Sequence, residues 1–409
     1  MKLKHVARLI AGGTPRVDDL TLWAREDEPG VAWTSIGDMS AGGRVISTTR
    51  RVNGAGVASK RLQIGSPGTV LFAMYASVGA VATLGIDAVW NQALLGVVPR
   101  SDLADSRFVA YWLQHLSTDL GALVRTSTQD NLNAEQVANF PFPDLTIQEQ
   151  RRIADFLDAQ VPRIDQGIAL RKRQGELVAE QLAVWLDQQV QELGSNFGWA
   201  EVRRFTRGIE QGGSPLADNA AANAGEAGVL KTSAIKNGRF VESENKALLH
   251  LEDLESRYII HRGDVVVVRG SGSGDLVADA AWVKDEPSSR LMLSDLTYRL
   301  RSPRVLPAFL TFVLISRSVR GEIRSLVRQG SGPAKVRGED VLGVSIPDVP
   351  SDEQHRLADQ YTGSSSNTDE LVQRLTMSLE LLQERKRALI TAAVTGEFDV
   401  STASGRNTA

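Results

Sequence analysis

The sequence predicts an α+β (mixed α/β) protein: two similar globular domains separated by a pair of long antiparallel coiled-coil helices, with an internal pseudo-twofold repeat. Three observations predict it. The chain repeats itself once, with a period near 204 residues. Each half opens on short β-rich runs bounded by Gly and Pro. Each half closes on a long helix with an apolar seam. The expected boundaries are a first domain at 1–146, a helical region at 147–196, a second domain at 197–350, a helical region at 351–400 and a disordered tail at 401–409.

The repeat is clearest where each domain meets its helix. Pro143-Asp144, Glu149-Gln150 and Arg152 recur as Pro347-Asp348, Glu353-Gln354 and Arg356, and Ala154-Asp155 recurs as Ala358-Asp359. Upstream the match is looser but ordered. Gly12-Gly13-Thr14-Pro15 faces Gly212-Gly213-Ser214-Pro215, Gly68–Phe72 faces Gly263–Val267, and Leu123-Val124-Arg125 faces Leu326-Val327-Arg328. A period this long marks a duplicated domain, not a solenoid.

Within each domain, Thr69–Phe72 and Asp264–Arg269 read as strands, and Arg107–Leu116 and Pro307–Ser316 as helices. A short amphipathic helix opening at Gln148 is expected to stop before Pro162, because proline disfavours helix at the residue before it. Its counterpart is expected to stop near Thr362-Gly363-Ser364. The long helix that follows in the second half carries Val372, Leu375, Leu379, Leu382 and Leu389 on three- and four-residue steps. The first half carries Ile164, Ile168, Val178, Leu182 and Trp185 in the same phase, interrupted by Arg171, Gly175 and Gln189. Two such seams in one chain are expected to pack on each other.

Composition narrows the function classes. Five histidines are not clustered at metal-ligand spacing and there is no cysteine, so no metal and no disulfide is expected. No apolar run reaches the roughly 18 residues of a membrane span, and a cytoplasmic protein is expected. Net charge is −3, yet residues 1–146 hold 13 basic and 13 acidic side chains and residues 197–350 hold 21 and 19. Such a balance permits a basic face without requiring one.

The turn-and-helix segments 141–158 (PFPDLTIQEQRRIADFLD) and 345–361 (SIPDVPSDEQHRLADQY), the tail Leu381–Asp399 and the stretch Asn91–Pro99 (NQALLGVVP) are similar to those of the specificity subunits of Type I restriction–modification systems. The resemblance implies two target recognition domains held apart by the helical pair. The implied partners are double-stranded DNA, two modification (methyltransferase) subunits and, through the complex, the restriction subunits. It implies no cofactor and no catalysis by this chain alone. One departure is that the second domain has Asp295 and Leu296 in the neighbourhood of the Asn91-Gln92 pair.

Base edges are read best by Arg, Lys, Asn and Gln. A polar loop with Arg125, Gln129, Asn131 and Asn133, and its counterpart with Arg328, Gln329, Lys335 and Arg337, are therefore candidate DNA-facing edges. Thr34-Ser35 and Lys231 with Ser233 form a second pair, with Lys236 and Arg239 nearby. Arg50 and Arg51 are candidates for phosphate, and Arg269 for a contact at the end of its strand; ordinary solvated surface is the alternative for each. A helix of roughly 30 residues is about 45 Å long, which would set half-sites on the order of one DNA turn apart. Gly270–Gly274 lacks the spacing of a dinucleotide loop, and neither a phosphate loop nor an amino-methyltransferase motif is present. Two other classes stay open at this level: a coiled-coil scaffold without sequence-specific DNA binding, and a stand-alone nuclease.

Overall fold

The computed structural model describes residues 1–39, 43–120, 131–272, 276–302, 304–328 and 334–400. The chain divides into two compact units, Met1–Lys172 with Thr376–Ala409, and Arg173–Leu375. Both cuts fall inside the long helices.

In the first unit, a five-stranded sheet has the spatial order Ala7–Ala11, Leu94–Pro99, Val70–Ala73, Val81–Leu84, Arg44–Val45. The helix Ser106–Leu116 packs on it, burying Phe108, Val109, Trp112 and Leu113 against Phe72, Val70 and Val97. Asp105 caps that helix by accepting from the backbone N–H of Arg107 and Phe108. A second sheet of three strands, Arg50–Val52, Val31–Thr34 and Ala88–Trp90, has its own small core of Trp23, Trp33, Val52 and Val89.

The second unit repeats this plan. Its larger sheet runs Ile209–Gln211, Thr297–Leu300, Val265–Val268, Ala280–Trp282, Gly238–Phe240, and ends on the added strand Ile235–Lys236. Its three-stranded sheet is Asn245–Ala247, Ala227–Leu230 and Arg290–Met292. The same neighbours pair with the same sense in both units: antiparallel for the first three pairs of the large sheet and parallel for the last shared pair. The paired glycines do one job twice. A Cβ on Gly12 would lie 2.0 Å from the Asn91 carbonyl oxygen, and one on Gly212 the same distance from that of Leu293. Leu293, two residues before Asp295, is thus what stands against the glycine where the first domain has Asn91.

The expected breaks in the helices are overturned. Ile147–Phe197 is one helix with Pro162 inside it, and Ser351–Thr395 is one helix through Thr362-Gly363-Ser364. An interior proline costs about 3 kcal/mol, but the turns before it are anchored. Ala154, Leu157 and Val161 are buried in the first-domain core, and Asp155 and Asp158 hold Arg107 and Tyr111. In the second helix Leu357, Ala358 and Tyr361 are buried in the same way, and the Thr362 hydroxyl donates to the Ala358 carbonyl at 2.7 Å. Packing outweighs local preference in both.

The repeated glutamine has a physical role. Gln150 is fully buried; its amide donates to the Leu103 and Leu145 carbonyls and its oxygen accepts from Asp105 N–H. Gln354 donates to the Val349 carbonyl and accepts from Leu306 N–H. Asp105 and Leu306 are the N-caps of the domain helices. Each glutamine therefore ties the start of a long helix to the start of the helix on its own domain.

Candidate DNA interface

In the first domain the turns beside the small sheet meet at Gly13. Its N–H donates to the Trp90 carbonyl and its carbonyl accepts from Trp33 Nε1 at 3.1 Å. Asn91 N–H donates to Thr34, and the Thr14 hydroxyl donates to Gln92. Thr34 is completely buried, its hydroxyl without a partner in the described residues, so it lies beneath this edge rather than on it. Ser35 is half-buried; its N–H and hydroxyl both donate to Asp38, whose other oxygen accepts from Thr49. Those four bonds hold the Asp38 carboxyl below its usual range although burial pushes the other way. Arg50 lies with its guanidinium 3.5 Å from the centre of the Trp23 ring. Arg51 turns back, donating to the Glu28 and Gly30 carbonyls. Asn131 is exposed, and Asn133 caps the helix Ala134–Ala138, with Gln136 completing the capping box. Arg125 and Gln129 lie outside the described residues.

In the second domain the structure brings Arg269, Arg328, Lys335 and Arg337 to one edge. Gly270–Ser271 pairs with Ala334–Lys335, Arg328 and Lys335 exchange backbone hydrogen bonds, and Val336 N–H donates to the Arg269 carbonyl. Gly270 thus belongs to a strand in which a Cβ would meet the Lys335 stem at 2.7 Å. The Arg269 guanidinium is occupied internally, donating to the Tyr298 hydroxyl and the Asp295 carbonyl, both at 3.0 Å. Arg328 and Arg337 are exposed, Lys335 is half-buried, and Gln329 lies outside the described residues.

Lys236 and Arg239 face each other across a hairpin whose two-residue turn is Asn237-Gly238. Both turn residues have positive φ, 48° and 83°, the conformation for which Asn-Gly is suited. The buried Asp279 fixes that turn by accepting from Asn237 N–H at 3.0 Å. Burial raises the Asp279 pKa, and Arg320 at 3.5 Å opposes that shift. Lys236 is exposed, whereas Arg239 is committed to Asp369 and Ser365 on the second long helix. Lys231 is half-buried, and the Ser233 hydroxyl donates to Glu244 at 2.6 Å.

The seam residues line the two helices, which run antiparallel within each unit. In the first unit Ile164 and Ile168 are half-buried, as are Leu379, Leu382 and Leu389. There Lys386 donates to Asp165 at 2.7 and 2.9 Å, and a Cβ on Gly167 would meet Leu382 at 3.7 Å. In the second unit Val178, Leu182, Trp185 and Val372 are half-buried and Leu375 is buried, with Trp185 stacked on Tyr361. Gly175 is no interruption there: it leaves 3.9 Å between a would-be Cβ and Leu375. Arg171 is exposed.

Sequence reasoning missed the Trp23–Trp33–Arg50 group, because nothing in residue spacing brings Trp23, Trp33 and a strand at 50 together. It also missed Arg299, completely buried among Glu210, Asp264 and the carbonyls of Arg257 and Ile259.

Residues 1–173 match the model of the "Type I restriction modification DNA specificity domain". The chain is 22% identical over 270 residues to the StySPI specificity subunit of a Type I restriction enzyme from Salmonella potsdam, covering 64% of this chain and 58% of that one. It is 22% identical over 323 residues to the EcoKI specificity subunit of Escherichia coli, covering 75% and 68%. This chain thus spans under two thirds of the length of the Salmonella relative. A solved structure concerned with complex assembly and conformational transition of the type I R-M system shares the fold, with a TM-score of 0.67 at 14% identity over 97% of both chains. On these matches, together with a duplicated domain joined through two long helices, the chain is similar to the specificity subunits of Type I restriction–modification systems.

Proposed function

We propose that this chain is the DNA-reading subunit of a Type I restriction–modification complex. Each domain reads one half of a bipartite, asymmetric double-stranded target. The helical regions recruit two modification (methyltransferase) subunits and, through the assembly, the restriction subunits. The chain itself does no chemistry, and it works in the cytoplasm with its DNA.

The observation that carries this reading is the duplication of one domain with divergent edges. The strand order, the paired glycines and the buried glutamine clamp are repeated. The residues at the equivalent turn differ: half-buried Asn91 and exposed Gln92 in one domain, buried Leu293 and Ser294 in the other. A rigid frame with variable edges suits two short, unlike sequences read by a common scaffold. Among the described residues no helix is long and apolar enough to cross a membrane, which is compatible with this role.

Methylome sequencing of cells with and without the chain tests it. The expected result is a split, asymmetric methylated motif that disappears when the chain is deleted. An unchanged methylome, or purified complex binding all duplexes alike at raised salt, would overturn the reading.

A further inference from the structure

We infer that Arg50, held flat on Trp23, is a pre-organised ligand for a DNA backbone phosphate in the first domain, and that its neighbour Arg51 is not. The inference rests on the DNA-reading function proposed above and assigns one residue within it.

Adjacent arginines on the strand Arg50–Val52 have opposite fates. Arg51 spends its guanidinium on the Glu28 and Gly30 carbonyls, the second at 2.7 Å, so it braces the loop between them. Arg50 has no side-chain hydrogen bond or ion pair among the described residues; its recorded partner is the face of Trp23. Ring stacking leaves the guanidinium donors, which lie in the guanidinium plane, free for a ligand.

The platform is rigid. Trp23 is buried, packs edge-on against Trp33 with centroids 5.1 Å apart, and donates from Nε1 to the Arg16 carbonyl. Trp33 in turn donates to the Gly13 carbonyl, in the turn that also receives Thr14 and Gln92. A long cationic side chain fixed in advance loses less freedom on binding, and a planar fork suits phosphate oxygens. Lys60 is exposed on the same side, its Cβ 3.5 Å from where a Gly13 Cβ would stand. Two cations thus stand at this edge, and the carboxylates nearby are engaged elsewhere, Asp38 by Ser35 and Thr49 and Asp19 by Arg16 and Thr21, with none paired to Arg50 among the described residues. Phosphate is favoured over a base edge because stacking on Trp23 anchors the guanidinium at the protein surface, rather than leaving it to reach into a groove.

The test uses the full chain assembled with its modification subunits, and two duplexes: one carrying the motif found by methylome sequencing, one of random sequence. Binding is measured over a range of salt for wild type, R50A, R50K and R51A. R50A is expected to weaken both duplexes by the same factor and to shrink the slope of log K against log salt by about one, the signature of one lost phosphate contact. R50K is expected to restore the slope, and R51A to leave it at the wild-type value. An unchanged slope in R50A would overturn the assignment, as would R50A relaxing the methylated motif at one base while sparing the random duplex. Thermal unfolding separates these from a purely structural role, in which R50A lowers the melting temperature and leaves the slope alone, also against the proposal. If wild type does not prefer the motif duplex, the function proposed above fails instead.

Discussion

At the scale of single residues, the side chains that matter most for stability are buried polar groups with every partner specified. Arg299 is one. Removing a buried charge's partner, or the charge itself, leaves the remainder desolvated and unpaired, at a cost of about 3–5 kcal/mol. Arg299→Ala takes from the buried Asp264 its buried cation, leaving it the His261 N–H and Arg301 at 3.7 Å, while the exposed Glu210 returns to water, so chemical denaturation should show a loss near the lower end of that range; a loss under about 1 kcal/mol would mean water replaces the guanidinium. Gln150 is the second. Gln150→Leu should cost on the order of 2 kcal/mol, because the Leu103 and Leu145 carbonyls and Asp105 N–H lose their partner inside the core. His115 adds a pH dependence. Burial lowers its pKa from the ordinary 6.5, with Glu397 opposing, and its Nδ1 lies 3.0 Å from the Thr391 hydroxyl. The unfolded chain then binds more protons than the folded one just below pH 6.5, so this residue's contribution falls as pH drops through that window. Comparing unfolding of wild type and His115→Asn at pH 5.5 and 7.5 should show the smaller pH dependence in the variant.

At the scale of elements, the long helices carry residues that weaken a helix in isolation yet sit in continuous helix. Pro162 and Gly363 are tolerated because packing holds the turns around them. The glycines facing the seam differ, since a methyl group at either position would make ordinary contact. Gly167→Ala and Gly175→Ala are therefore expected to stabilise by about 0.5–1 kcal/mol each, through helix propensity and a less flexible unfolded chain. Leu375→Ala should do the reverse by about 2–4 kcal/mol, since it empties a buried seam position. The Asp165–Lys386 bridge is partly exposed and worth about 0–1 kcal/mol, so its removal should barely move stability. Inserting matched turns into both helices should alter the spacer of the methylated motif and spare its half-sites. An altered half-site would show that the helices do more than set the spacing that the proposed function assigns to them.

At the scale of the whole molecule, the duplication is the organising fact and it predicts modularity. Replacing residues 1–146 with the first domain of a relative should change one half of the methylated motif and leave the other, provided the graft retains Asp105 and its bond to Gln150. Methylome sequencing reads both halves at once, and a change in both would contradict independent reading.

The sequence by itself determined the repeat and, with it, the resemblance to the Type I specificity subunits, because those depend on spacing and on local chemistry that recurs in register. The Asn237-Gly238 hairpin was equally open to it, since the turn demands those residues. Tertiary structure alone decided the rest. It ran the helices through Pro162 and Thr362, where burial outweighed a local penalty. It turned Gly175 from a flaw into a seat for Leu375. It also sorted the candidate arginines, tying Arg51, Arg239 and Arg269 to partners on the chain and leaving Arg50 stacked on Trp23 and Arg328 exposed. A charged side chain's partners come from elements distant in sequence, so its availability to DNA is a property of the folded chain.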